Sequence, residues 1–265
     1  MTLIKKEFLA RRTSLIVYCL VIILMTWMYI GLYPTIQAQS AALTKAVSSF
    51  GPTIKAFGIK AINFDTLENF LAVELFGITW PVLAITFVIA RAGQSLAGET
   101  EKGTIGTLLA LPISRARLYL SKYLAGLGAI VIFVAATSFT APLIASAYHI
   151  ANLPSRYLTV SVLCLLFSWA IYSLAMLFSA IFDEKGRVYT VTGGLLLVMY
   201  VANVITELTD KIDWLKYGSF FHYFAAATAL STGKTDPLAY TVFGGVIVAT
   251  FLAGLIWFTR KNVIV

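Results

Sequence analysis

Apolar residues gather into long runs broken only by short polar segments. Six runs, 15–33, 70–90, 123–148, 157–182, 188–206 and 238–259, are long enough to cross a membrane. A hydrocarbon core of about 30 Å takes about 20 helical residues. Inside lipid every backbone N–H and C=O must be paired within its own segment, so each run reads as a helix. The alternating pattern of a β-barrel is absent. The predicted fold is all-α, a polytopic membrane protein of six transmembrane helices forming one domain over residues 1–265.

Composition agrees: 59% of residues are hydrophobic and only 12% charged, with mean hydropathy +0.86. This excludes an ordinary soluble domain. The net charge of +8 is unevenly spread. With the N-terminus inside, inner segments carry thirteen of the 20 Lys and Arg residues, and Glu7, Glu99, Glu101, Asp183 and Glu184. The remaining charges cancel. Positive residues favour the cytoplasmic side, so the expected orientation is N-in, C-in. The first run resembles a signal sequence, with Lys5, Lys6, Arg11 and Arg12 before it and Ala38-Gln39-Ser40 after it. Its apolar core is too long for one, so cleavage is not expected. Cys19 and Cys164 lie inside apolar runs and read as small buried hydrophobes, with no disulfide framework or metal spacing.

The segments between spans carry most of the distinctive residues. Leu3, Ile4, Phe8 and Leu9 alternate with basic residues at near-helical spacing, as in a short amphipathic helix on the inner membrane surface. The segment 34–69 is long for a connector and is broken at Gly51-Pro52. Asp65 with Glu68 three residues on predicts an N-cap and a helix start near Thr66. Pro81 predicts a kink in the second span. Glu74 lies about two turns into that helix. It is either an intramembrane functional group, handling substrate or protons, or a residue shallow enough to reach water or headgroups. The aromatic-rich 207–238 segment predicts short interfacial or re-entrant helices, with His222 more readily structural than ligating. Gly233-Lys234-Thr235 imitates the end of a nucleotide loop, but Thr228 stands where its first glycine belongs and no strand precedes it. Gly245, Ala249 and Ala253 form a small-residue stripe suited to close helix packing. Neither H-E-x-x-H nor G-x-S-x-G occurs, which argues against a membrane-embedded enzyme.

One inner segment stands out. Residues 98–122 read GETEKGTIGTLLALPISRARLYLSK. Gly98 and Gly103 let the chain leave and re-enter helical geometry. Thr104 can cap a short helix whose Ile105, Leu108 and Leu109 share one face. Pro112 ends it, Ser114 can cap the next helix, and Arg115, Arg117 and Lys122 hold that helix at the membrane face. The result is a stubby amphipathic coupling segment over 98–114.

Glu99-x-Glu101-x-Gly103-Thr104, followed by Leu108-Leu109, Pro112 and Ser114-Arg115, resembles the signature of ABC type-2 permeases. These are membrane subunits of one class of ATP-binding cassette exporters. Lys5-Lys6-Glu7-Phe8 is similar to the family's amphipathic entry helix, and Phe221-His222-Tyr223-Phe224 to its aromatic motif before the last span. Ser219-Phe220 stands where the family often has proline. The resemblance implies a multi-pass protein of the cell membrane, here a prokaryotic plasma membrane. Two permease subunits pair as a homo- or heterodimer, and each docks an ATPase subunit that binds the ATP. It implies no cofactor on this chain and no nucleic acid. Glu99, Glu101, Gly103, Thr104, Leu108, Leu109 and Pro112, with Asp183 and Glu184 of the second inner loop, are the expected ATPase contacts. The competing class is a secondary transporter or channel driven by an ion gradient, for which Glu74 alone is a sparse set of intramembrane charges. The helices, rich in Phe, Leu and Ala, favour a hydrophobic or amphipathic cargo.

Overall fold

The computed structural model describes residues 3–40, 65–110 and 112–261. The expected break at Gly51-Pro52 lies outside the described residues. Every regular element among them is helical, and six helices are long and apolar enough to span a membrane. An entry helix α1 (Leu3–Ala10) leads into the first span, α2 (Arg12–Ala38). The second span is built from α3 (Leu67–Glu74), a π turn (Leu75–Thr79) and α4 (Trp80–Gly93). Two short helices, α5 (Ala97–Glu101) and α6 (Ile105–Leu109), make an elbow. Then follow the third, fourth and fifth spans: α7 (Arg115–Ala147), α8 (Pro154–Ile181) and α9 (Lys185–Leu208). A 3-10 segment (Asp210–Gly218) and the short α10 (Phe220–Tyr223) and α11 (Ala226–Thr232) precede the last span, α12 (Pro237–Arg260).

The fourth span is the axis of the bundle. It packs against α4, α7, α9, α11 and α12. Tyr157, Phe167, Ile171, Tyr172 and Met176 bury side chains around much of its circumference, the mark of a helix enclosed by others. The most apolar stretch of α8 is 67% buried, against 22% for α2, α9 and α12. Those three form the periphery.

The second span begins differently from its sequence expectation. Thr66, rather than Asp65, caps α3, its hydroxyl accepting from the Asn69 amide at 3.3 Å. Glu68 does not close a capping box. It is buried and accepts from the Leu153 amide at 2.7 Å, placing a carboxylate at the start of α8, where the helix dipole favours it. Tyr33 donates to the Asp65 carbonyl at 2.9 Å, tying the first span to the second.

The expected kink at Pro81 is a widened turn. Pro81 has no N–H to return to Gly77, and its ring crowds that carbonyl. Immediately before it, the Trp80 amide bonds back to Leu75, and the Thr79 hydroxyl donates to the Glu74 carbonyl at 3.0 Å. Trp80 is thereby turned into the core, where its Nε1 donates to Thr137 at 3.1 Å.

The aromatic segment before the last span folds back into the bundle. The Phe224 ring stacks on Phe167 at 4.2 Å and on Trp80 at 5.7 Å. Ser219 is fully buried, caps α10 by accepting from the Phe221 amide and donates to the Met199 carbonyl at 2.8 Å. A hydroxyl with two uses thus stands where the related motif often has proline. Gly233, of the imitation nucleotide loop, is the left-handed end of α11, with φ +74°. Gly245, Ala249 and Ala253 lie exposed on the outward face of α12. The close approach falls instead at Gly254, where a Cβ would stand 3.3 Å from the Leu177 Cα.

Candidate functional site

Between the second and third spans the chain makes its charged elbow. Gln94, Ser95 and Leu96 turn out of α4 and start α5, where the buried Leu96 and Ala97 amides both donate to the Ser179 hydroxyl of the fourth span, at 3.2 and 3.0 Å. A side chain from α8 thus supplies the cap that α5's own sequence lacks. At the other end, Gly103 takes φ +71°. The Gly103 amide returns to the Thr100 carbonyl and the Thr104 amide to the Glu99 carbonyl, both at 3.0 Å. This is the Schellman pairing, and its left-handed residue is the reason for glycine at that point. α6 follows at once. Ile105 is buried and Leu108 and Leu109 pack on the core, so the apolar stripe tucks under the bundle as its spacing predicts. The chain leaves α6 before Pro112, and Ser114 caps α7 by accepting from the Arg117 amide at 3.2 Å.

Contrary to the expectation from sequence, Thr104 does not cap α6 with its side chain. Its hydroxyl turns back to the Glu99 carbonyl at 3.2 Å and to the Glu99 carboxylate. The competing acceptor is an ionised carboxylate, a stronger partner than a free amide is a donor.

The two acidic residues of the elbow face different ways. Glu99 points inward. Its carboxylate lies 3.5 Å from Lys122 Nζ on the third span and 3.7 Å from Arg11 at the start of the first. Glu7 of the entry helix completes the cluster, 3.1 Å from Lys122 and 3.0 Å from Arg11. Arg11 also donates to the Arg91 and Gln94 carbonyls, and Arg91 answers by donating to the Arg11 carbonyl at 2.8 Å. The Arg91 guanidinium sits 5.9 Å from the Phe8 ring centroid, within cation–π range. Lys122 is only 2% exposed, so its charge depends on these two carboxylates. Burial pushes the Glu99 carboxyl upward, but the Thr104 hydroxyl, Lys122 and Arg11 together hold it below its usual value.

Glu101 points away from this cluster and is exposed. Its carboxylate accepts from the Lys185 amide at 2.9 Å and pairs with the Lys185 ammonium at 3.1 Å. These two bonds hold Glu101 below the usual carboxylate range. Glu184, the N-cap residue of α9, makes no capping bond of its own and pairs with Arg187 at 3.1 Å. Asp183 pairs with Lys261 at 2.7 Å, and the same ammonium bonds the Ala180 and Ile181 carbonyls that end α8.

Of the residues singled out from sequence, Glu99, Glu101, Gly103 and Thr104 meet in the elbow. Glu101 joins the loop of Asp183 and Glu184. Glu74 is remote from them. It ends α3 at the π turn, half-buried. The cluster of Glu7, Arg11, Arg91 and Lys122 was not foreseen. Its signal was Lys122 standing directly at the third apolar run, too deep to remain a solvated anchor.

Five spanning helices around a buried sixth, with a charged amphipathic elbow laid across one end, define a multi-pass membrane protein of the transporter class. A family model described as ABC-2 family transporter protein matches residues 1–263. The chain belongs to that family. Members are membrane subunits without a nucleotide site of their own, and they work in general with a partner ATPase. No curated protein matches the chain.

Proposed function

We propose that this chain is the permease subunit of an exporter, N-in and C-in, whose elbow is the coupling helix gripped by a separate ATPase subunit. One observation carries the reading. The elbow is bonded to four spans at once, through Glu99 to Arg11 of the first and Lys122 of the third, through Leu96 and Ala97 to Ser179 of the fourth, and through Glu101 to Lys185 of the fifth. A displacement imposed there reaches most of the bundle. Coupling needs the nucleotide-bound partner to favour one bundle arrangement over another by a real difference in free energy.

The surface offered to the partner is the outer side of the elbow, where Glu101, Lys102, Thr107, Ala110 and Pro112 are exposed. Glu99 serves the contact indirectly, by fixing the elbow's pose. The little-buried outer faces of α2, α9 and α12 leave room for a second permease subunit, identical or sister, within the membrane. The exporter's energy comes from ATP bound by the partner.

The test is co-purification with a partner ATPase subunit. Thr107→Arg with Ala110→Arg adds bulk and charge at exposed positions whose side chains make no hydrogen bond or ion pair among the described residues. The pair is expected to abolish ATPase co-purification and ATP-driven transport while membrane insertion and melting stay unchanged. Normal co-purification and transport in this variant, or labelling of a Cys at 107 from the outer face of the membrane, would overturn the proposal.

A further inference from the structure

The entry helix α1 meets the ends of three spans. Arg12 begins α2, Arg91 lies in the last turn of α4 with its guanidinium over the Phe8 ring, and Lys122 near the start of α7 pairs with Glu7. α1 therefore lies at the level where these spans enter and leave the membrane. Its inward face is fully engaged. Leu3 and Phe8 pack on the core, and Glu7 and Arg11 belong to the ionic cluster.

The outward face is not engaged. Lys5 and Lys6 are exposed, and so is Leu9, which shares their face at four and three residues' distance. Arg12 is exposed just past the break at Arg11. Lys5, Lys6 and Arg12 form no hydrogen bond or ion pair with side chains among the described residues, and the one acid of the same helix, Glu7, is already bonded to Arg11 and Lys122. From Arg12 an apolar stripe runs along α2 at every fourth residue, Ile16, Leu20 and Leu24, each more than half exposed. Unpaired cations at the membrane face select a negatively charged group. The stripe leading away from them into the span selects an acyl chain. A second copy of this chain, packed on the stripe across a two-fold axis, would set the same cations against their own copies.

We propose that α1 and the start of α2 form a binding site for an anionic phospholipid, its phosphate held by Lys5, Lys6 and Arg12 and one acyl chain lying along Ile16, Leu20 and Leu24. The site depends neither on which membrane face is cytoplasmic nor on an ATPase, so it and the proposed function fail separately.

The experiment uses the full chain in nanodiscs containing one of two phospholipids with a diazirine on the acyl chain, phosphatidylglycerol or zwitterionic phosphatidylcholine. Cross-links are mapped by peptide mass spectrometry. At equal mole fraction the anionic probe is expected to label 12–24 about tenfold more than the zwitterionic one. Raising salt from about 0.1 to about 0.5 M should cut that excess severalfold. At Phe139 and Leu143, exposed on α7, the two probes should label equally. Lys5→Gln, Lys6→Gln and Arg12→Gln combined should erase the excess, while Lys5→Arg with Lys6→Arg should keep it. Should the triple variant fail to fold, as melting reports, Lys5→Gln with Lys6→Gln is expected to lower the excess about threefold. Equal labelling of 12–24 by the two probes, or an excess unchanged in the glutamine variants, would overturn the proposal. So would competition by soluble glycerophosphoglycerol as strong as by unlabelled phosphatidylglycerol, which would mark a site for a free phosphodiester.

Discussion

The Glu101 carboxylate accepts a hydrogen bond at 2.9 Å from the Lys185 amide, 84 residues further along the chain. An acid from one inter-span loop thus caps the helix that begins in another, because α9's own N-cap residue, Glu184, makes no capping bond. Glu101→Ala is expected to leave the first turn of α9 unsatisfied. Amide exchange at 185–188 should speed up severalfold in hydrogen-exchange mass spectrometry. Glu101→Gln keeps an acceptor and should exchange at nearly the wild-type rate. Equal protection in Glu101→Ala would show that water caps the helix as well as Glu101 does.

Lys122 is the hub of the elbow's ionic cluster. Removing it leaves Glu7 and Glu99 facing each other with Arg11 as the cation still paired to both among the described residues. Breaking a buried pair typically costs 3–5 kcal/mol, and the partial exposure of both carboxylates argues for the low end, so Lys122→Met should lose about 3 kcal/mol. Adding Glu7→Gln and Glu99→Gln should recover part of it, since no carboxylate then lacks Lys122, while Arg11 keeps its bonds to the Arg91 and Gln94 carbonyls. Thermal melting in detergent measures both. A triple variant no more stable than the single would show that packing, rather than charge, sets the cost.

The elbow also has a predictable pH dependence. Glu99 and Glu101 are held below the usual carboxylate value of 4.5 in the folded chain. A carboxylate with a lowered folded pKa adds stability that is complete above its unfolded pKa and lost as pH falls through the folded one. The elbow should therefore resist proteolysis evenly from neutral pH down to about 5 and loosen below 4.5. Cleavage between 99 and 112, followed against pH, reads this directly. Glu99→Gln should flatten the profile.

Gly126 of the third span meets the fourth so closely that a Cβ would stand 2.0 Å from the Tyr172 hydroxyl. That hydroxyl lies at the buried centre of the bundle, within 3.3 Å of the Lys122 and Tyr123 carbonyls. Gly126→Ala should cost about 2 kcal/mol by overpacking. Tyr172→Phe added to it removes the clashing atom and should restore part of the loss. Additive losses in the double variant, read from melting, would deny the contact.

Gly103 tests the elbow's backbone independently of charge. Its Cβ position is open space, so only the φ of +71° opposes a side chain there. Gly103→Ala should cost about 1 kcal/mol, and Gly103→Asn less, since asparagine tolerates the left-handed region. A reversed order would mean that the turn rearranges.

The six spans, the entry helix and the stubby elbow were legible because each depends on local properties, the length of an apolar run, the period of an amphipathic stripe, or a glycine or proline that stops a helix. The capping of α7 by Ser114 was local too, and it held. The readings that changed involve competition. Thr104 had an amide to cap and turned to Glu99 instead. Glu68 had a capping box to close and reached Leu153 instead. Sequence spacing names the groups within reach along the chain, but not the stronger partner that folding brings from elsewhere.

The order of hydrophobic and polar residues therefore determined by itself that this chain crosses a membrane six times and pauses at a charged amphipathic elbow, since burial of apolar length in lipid needs no particular neighbour. Only the tertiary structure decided that Glu99 turns inward to Lys122 while Glu101 reaches across to α9, and that Lys5, Lys6 and Arg12 are left without an acid among the described residues. Charges and unpaired polar groups choose among partners by distance in space, and those distances exist only once the helices have packed.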